Sequence, residues 1–146
     1  MEPIYDLIII GGGPAGAAAG VYAARKRIKT LILAESFGGQ STVSAEIQNW
    51  IGTIAISGEE LASSLKKHVE AYAGDVLKIR EERVRKIEPN NDKFTVSTEN
   101  GSYETRAILV ATGSHRRKLE ATGADTFEHK GVTYCASCDG PMFEGL

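Results

Sequence analysis

Cysteine is scarce in this chain: Cys135 and Cys138 are the only two in 146 residues, too few for a disulfide framework. Thiol chemistry therefore has one address. Neither sign of charge is in excess. The net charge is −2 with acids and bases interspersed, which argues against a nucleic-acid partner. No run approaches the 18 or more apolar residues that a membrane span requires. The apolar stretch at residues 4–10 contains Asp6, lacks a basic flank and ends in glycines, so it reads as a buried strand and not as a secretory signal. Repeats and low-complexity segments are missing. With no leader pattern and so little cysteine, a cytoplasmic location is expected. The length suits one domain, or one domain and part of another.

Against these absences stands an ordered series of α/β signals. Residues 4–10 predict a strand with both faces covered, as in parallel central strands. Gly11, Gly12, Gly13, Pro14, Ala15 and Gly16 follow. Pro14 presets the first turn of a helix over residues 15–27 without wasting an N–H. That helix is rich in Ala and Gly, so it can lie close to a sheet. Residues 30–34 predict a second buried strand with Glu35 at its end. Residues 37–53 lack periodicity and read as a functional loop. Ser57 and Glu60 form a capping-box pattern ahead of helical spacing that runs to residue 73. Residues 76–87 are strand-like and rich in charge. Strands at 93–98 and 102–110 flank Asn100-Gly101, a strong hairpin signal. Residues 115–130 are polar and turn-rich, and a short strand is expected at 131–134.

The spacing Gly11-x-Gly13-x-x-Gly16, between a strand and a helix, is the dinucleotide-binding fingerprint. Gly11 permits the tight turn, Gly13 lets backbone approach a pyrophosphate, and Gly16 lets helix pack on strand. The helix N-terminus favours phosphate through its free N–H groups and partial positive charge. Glu35 comes nineteen residues after Gly16, where a carboxylate can accept both ribose hydroxyls and repel a 2′-phosphate. The competing view is a glycine-rich turn of some other α/β protein with Glu35 merely exposed. The fingerprint does not separate FAD from NAD. The hairpin strands and the Gly38-Gly39-Gln40 loop favour FAD.

Cys135 and Cys138 are spaced as a redox pair, and Asp139 adjoins the second. One thiolate of such a pair can attack a partner's disulfide while the other resolves the mixed disulfide. Asp139 is positioned in sequence to manage the proton. Two other readings of the pair stay open, half of a zinc site and two packed inert thiols. The only histidines, His68, His115 and His129, lack ligand-like spacing, so no metal is assigned.

The glycine fingerprint, Glu35, Gly38-Gly39-Gln40, Gln48-Asn49-Trp50, Ala111-Thr112-Gly113 and the segment from Cys135 to Gly140 occur in an order and spacing that resemble low-molecular-weight thioredoxin reductases of bacteria and archaea. The residues from Cys135 to Phe143 are also similar to the flavoprotein component of alkyl hydroperoxide reductase. The resemblance implies an α/β, Rossmann-like FAD-binding three-layer domain with a β-meander, followed by the start of a second nucleotide-binding domain. Residues 1–113 would be the N-terminal portion of the FAD domain, 114–130 a linker, and 131–146 the opening of an NADPH and redox-disulfide domain.

In that family's terms Gly11 to Gly16 hold the FAD pyrophosphate and Glu35 the adenosine ribose. Gly39, Gln40 and Asn49 lie near the ribityl chain and flavin, Val84 contacts the adenine side, and Ala111, Thr112 and Gly113 stand where the chain leaves the domain. Cys138 takes electrons from the flavin, Cys135 attacks the protein substrate, and Asp139 protonates the leaving thiolate. The resemblance further implies homodimers that carry electrons from NADPH to thioredoxin or a related dithiol protein.

The chain departs from the pattern in places. Ile51 follows Trp50 where proline is frequent, and Thr122-Gly123 replaces Pro-Gly. A second glycine fingerprint, which binds NADPH in the family, does not occur in these residues. The basic run from His115 to Lys118 is read as a solvated linker. Two alternatives accompany the thioredoxin reductase-like expectation: a peroxide-reductase flavoprotein feeding a peroxiredoxin, and a non-catalytic FAD-binding fragment.

Overall fold

The computed structural model describes residues 3–115, 117–128, 130–134 and 145. The cysteine pair and Asp139 lie outside them. The chain divides into two compact units, Met1–Gly113 and Ser114–Leu146.

In the first unit, β1 (Tyr5–Gly12), α1 (Pro14–Arg25) and β2 (Thr30–Phe37) form a β-α-β unit. A 3-10 turn (Gly39–Val43) leads to α2 (Gly58–Ala73) and then β3 (Leu77–Glu81). The strands β4 (Val84–Asn90), β5 (Lys93–Thr98) and β6 (Ser102–Val110) follow as a meander. All six strands share one sheet in the order β3-β2-β1-β6-β5-β4. Strands β3, β2, β1 and β6 are parallel neighbours, while β5 and β4 run antiparallel at the far side. The expected α/β, Rossmann-like class is borne out.

Strand alternation divides the core. Ile9, Ile32 and Ala34 face Ala17, Val21 and Ala24 of α1 together with Val69 of α2. Ile8, Ile10, Leu31 and Leu33 face the other way, where Val96 and Tyr103 of the meander cover them. That gives three layers: helices, parallel strands and meander. Ile8, Ile9, Leu31, Ile32 and Leu33 are at most 1% exposed, and each such side chain contributes about 1.5–3 kcal/mol by leaving water. Small residues set the helix-to-sheet spacing, since a Cβ on Gly20 would lie 2.7 Å from the Cδ1 of Ile32. The buried hydroxyls are satisfied locally: Thr30 donates to the carbonyl of Ile28 at 2.8 Å and Thr105 to that of Ala107 at 2.9 Å.

The capping box forms as expected. The Glu60 N–H reaches the Ser57 hydroxyl oxygen at 3.2 Å, and the Glu60 carboxylate accepts the Ser57 N–H at 3.2 Å and its hydroxyl at 2.8 Å.

Three elements differ from expectation. The strand-like run at 76–87 is two strands, broken at Glu82 and Arg83, where the Glu82 N–H folds back to the Arg80 carbonyl at 3.0 Å. The strand expected at 131–134 is only a single bridge between Glu128 and Val132. Strand β2 continues past Glu35 to Phe37, because Gly12 of β1 pairs with Phe37.

In the second unit, His115, Arg117 and Lys118 are exposed, as a solvated run would be, and Lys118 also forms ion pairs. It pairs with Glu128 at 2.9 Å and Asp125 at 3.7 Å, and the Glu128 hydrogen bond is the main cause that raises its pKa. The Leu119 N–H donates to the Tyr134 hydroxyl at 2.9 Å.

Candidate functional site

The glycine loop sits at the C-terminal end of β1, the edge of a parallel sheet where such folds place their ligands. Its glycines serve two purposes. Gly11 has φ +116°, a region L side chains avoid, and a Cβ there would lie 2.2 Å from the Ala111 carbonyl oxygen. A Cβ on Gly16 would lie 1.9 Å from the Gly11 carbonyl oxygen. One on Gly12 would meet the Ser36 carbonyl oxygen at 2.5 Å. These three are packed shut against the protein itself.

Gly13 is different. A Cβ there would find only the Cα of Gly39, at 3.9 Å. Backbone conformation does not demand glycine either, because φ is −71°. The space beside Gly13 is open, and Gly13 is also the N-cap of α1, with no side chain capping the helix. Pro14 has no N–H and the Ala17 N–H bonds the Gly13 carbonyl at 2.9 Å, which leaves the N–H groups of Ala15 and Gly16 at an uncapped helix start, a setting that suits a phosphate. Pro14 is the first helical residue, and Ala15 behind it is exposed.

Glu35 reaches the site through an irregularity in β2. Ile10 pairs with Leu33, but Gly12 pairs with Phe37, so two steps on β1 face four on β2. The surplus bulges at Glu35 and Ser36, both exposed, which turns the Glu35 carboxylate out of the sheet. Gly38 closes the bend: its N–H donates to the Gly12 carbonyl at 2.9 Å, and its φ of +95° favours glycine.

The loop thus gathers Gly11, Gly12, Gly13 and Gly16 with Ala111, whose N–H donates to the Ile10 carbonyl at 2.8 Å, and with Thr112, whose nitrogen lies 3.1 Å from a Cβ placed on Gly11. Gly39 faces Gly13 across the opening, with half-buried Gln40 next to it in the 3-10 turn. Gly113, at φ +64°, ends the first unit. Asn49 is exposed in the segment closed by the Ile47–Ile56 bridge, and among the described residues no hydrogen bond ties it to the loop. Val84 is half-buried and packs against the meander-side core.

Two residues escaped the sequence reading. Arg83 pairs with Glu35 at 3.4 Å. Glu82 accepts hydrogen bonds from the Tyr103 hydroxyl at 2.9 Å and the Thr98 hydroxyl at 2.6 Å. Their only trace in sequence is the run Arg80-Glu81-Glu82-Arg83, which resembles any charged edge.

Comparison with known proteins agrees with this geometry. The chain is 42% identical over 145 residues to an NADH dehydrogenase of Bacillus subtilis, covering 99% of this chain and 28% of that protein. It is also 42% identical over 145 residues to an alkyl hydroperoxide reductase component of Escherichia coli, covering 97% of this chain and 27% of that protein. Among solved structures, the thioredoxin reductase of Streptococcus pyogenes superposes with a TM-score of 0.85 at 38% identity, over 96% of this chain and 45% of that one. The chain thus spans little more than a quarter of these curated relatives and under half of the solved one. The expected resemblance to thioredoxin reductases and the peroxide-reductase flavoprotein is borne out. The family model described as pyridine nucleotide-disulphide oxidoreductase matches residues 5–145, and the chain belongs to that family.

Proposed function

We propose that residues 1–113 form the FAD-binding portion of a flavoprotein disulfide reductase. The open space at Gly13 carries this reading. The other fingerprint glycines are explained by packing, whereas the open space beside Gly13 leaves room for a ligand to come close. The residues fit the dinucleotide. The free N–H groups of α1 would hold its pyrophosphate, and Glu35 would accept the adenosine ribose hydroxyls. Gly39 and Gln40 border the side from which the ribityl chain would leave, with Asn49 beyond them. Val84 would lie toward the adenine, and Ala111, Thr112 and Gly113 would close the loop from behind.

When bound, FAD supplies two-electron chemistry between a nicotinamide and a disulfide. In this reading Cys135 and Cys138 form the disulfide that receives those electrons. In the reduced pair, the Cys135 thiolate attacks a sulfur of a partner protein's disulfide, and a mixed disulfide forms. Asp139 hands a proton to the partner thiolate that leaves. Cys138 then displaces the second partner sulfur, so the partner ends as a dithiol and the pair as a disulfide. NADPH as donor, a thioredoxin-like acceptor, a homodimer and a cytoplasmic location belong to the same proposal. No described helix is long and apolar enough to cross a membrane.

A second reading keeps the flavin and changes the acceptor. The 42% identity to an alkyl hydroperoxide reductase component favours a peroxiredoxin-linked dithiol module. The cysteine roles are tested with FAD-loaded variants. With the flavin oxidised, Cys135→Ser should show a long-wavelength thiolate–flavin band, and Cys138→Ser should lack it. The opposite pattern would exchange the roles, and no band in either would remove the pair from the flavin.

A further inference from the structure

The bend between β3 and β4 carries a second feature directed at Glu35. Ala34 pairs with Glu81 across β2 and β3, so Glu35, Glu82 and Arg83 leave the sheet side by side. Glu82 is half-buried and held from two other strands, by Tyr103 on β6 and Thr98 on β5. Tyr103 itself is only 5% exposed, a firm anchor. With Glu82 tied down, the position of the next residue is set. Arg83 brings Nε to 3.4 Å from Oε1 of Glu35. The neighbouring Arg85 is hydrogen-bonded to Glu99 and also feels the charge of Glu35, but only Arg83 makes an ion pair with Glu35 among the described residues.

Arg83 and Glu35 are each about half-exposed, and pairs of that kind add little to folding stability. The contact therefore matters where the carboxylate is used. We propose that Arg83 is a positioning residue for adenosine recognition: it holds one oxygen of Glu35 so that the other is presented to the ribose hydroxyls. Without it the carboxylate loses its ion-pair anchor, and the ribose would bear more of the ordering cost on binding. The inference rests on the FAD reading above.

The test uses ADP and 2′-deoxy-ADP as probes of the adenosine end, with binding to the 146-residue chain measured by calorimetry and FAD measured alongside. Wild type should prefer ADP by about tenfold, the worth of a good hydrogen bond to a charged acceptor. Arg83→Gln should cut that preference to about threefold by weakening ADP more than 2′-deoxy-ADP, which keeps only the 3′-hydroxyl for Glu35. Adding Arg83→Gln to Glu35→Gln should change nothing more, because the partner it acts through is gone. Tyr103→Phe should lower the same preference by a smaller factor. Equal weakening of both nucleotides by Arg83→Gln, or no effect on either, would overturn the proposal while FAD binding stands. Wild type that binds neither ADP nor FAD would overturn it together with the flavin reading.

Discussion

The two sides of the nucleotide loop obey opposite rules. On the inner side, Gly11 and Gly16 leave no room: an added methyl would sit 2.2 Å or 1.9 Å from a carbonyl oxygen of the chain itself. On the outer side, Gly13 would meet nothing nearer than 3.9 Å and has an ordinary φ. One side is glycine because the fold requires it. On the other, the fold leaves room for a side chain. On the FAD reading proposed above, a single motif contains a structural half and a binding half, and substitution can pull them apart.

The largest expected effect is on the inner side. Gly16→Ala pushes a methyl into backbone that cannot yield, so urea denaturation should show a loss of about 3 kcal/mol, or no folded protein. Unchanged stability would mean that the close contact of α1 on β1 does not exist. Gly13→Ala is the counterpart. Its stability should move by less than about 1 kcal/mol, since only the N-cap preference changes. Its affinity for FAD should fall by at least about tenfold, because the methyl occupies the path of the pyrophosphate. If Gly13→Ala unfolded the protein as readily as Gly16→Ala, the two sides would be equivalent and the contrast would disappear.

A smaller effect marks the region away from the loop. The seat of α2 depends on the Ser57–Glu60 capping box, and Ser57→Ala should cost about 1 kcal/mol with FAD affinity preserved. The Ser57 hydroxyl, and then its N–H, hold the Glu60 carboxyl below the ordinary glutamate range. A depressed carboxyl stabilises above its unfolded pKa, and that share is lost as pH falls through the lowered value. Acid titration of stability should therefore be shallower in Glu60→Gln, and an identical acid limb would remove Glu60 from the cap.

Much of this fold was readable in advance because the relevant signals are local. The apolar run into the glycine loop, the capping box and the Asn100-Gly101 turn each act within a few residues, and each appears in the structure. Glycine spacing likewise marked the loop, but not which glycine serves which purpose. That depends on Ala111 and Gly39, about a hundred and about twenty-five residues away in sequence and brought near only by sheet order. The extension of β2 past Glu35 was hidden because a bulge is set by pairing with Gly12, not by β-propensity. Arg83 was hidden for a similar reason. Its charge was visible, but its partner was assigned by the parallel register of β2 and β3. The short strand expected at 131–134 is reduced to one bridge at Val132, because its partner there is a single residue, Glu128.

In the proposed reading, the opening beside Gly13 and the carboxylate of Glu35 together recognise a dinucleotide. Titrating the chain with FAD and, separately, with FMN tests it most directly, using the quenching of flavin fluorescence. FAD should bind, and FMN, which lacks the adenosine and the second phosphate, should bind at least about tenfold more weakly. Equal affinity for the two flavins, or no binding of FAD, would contradict the account.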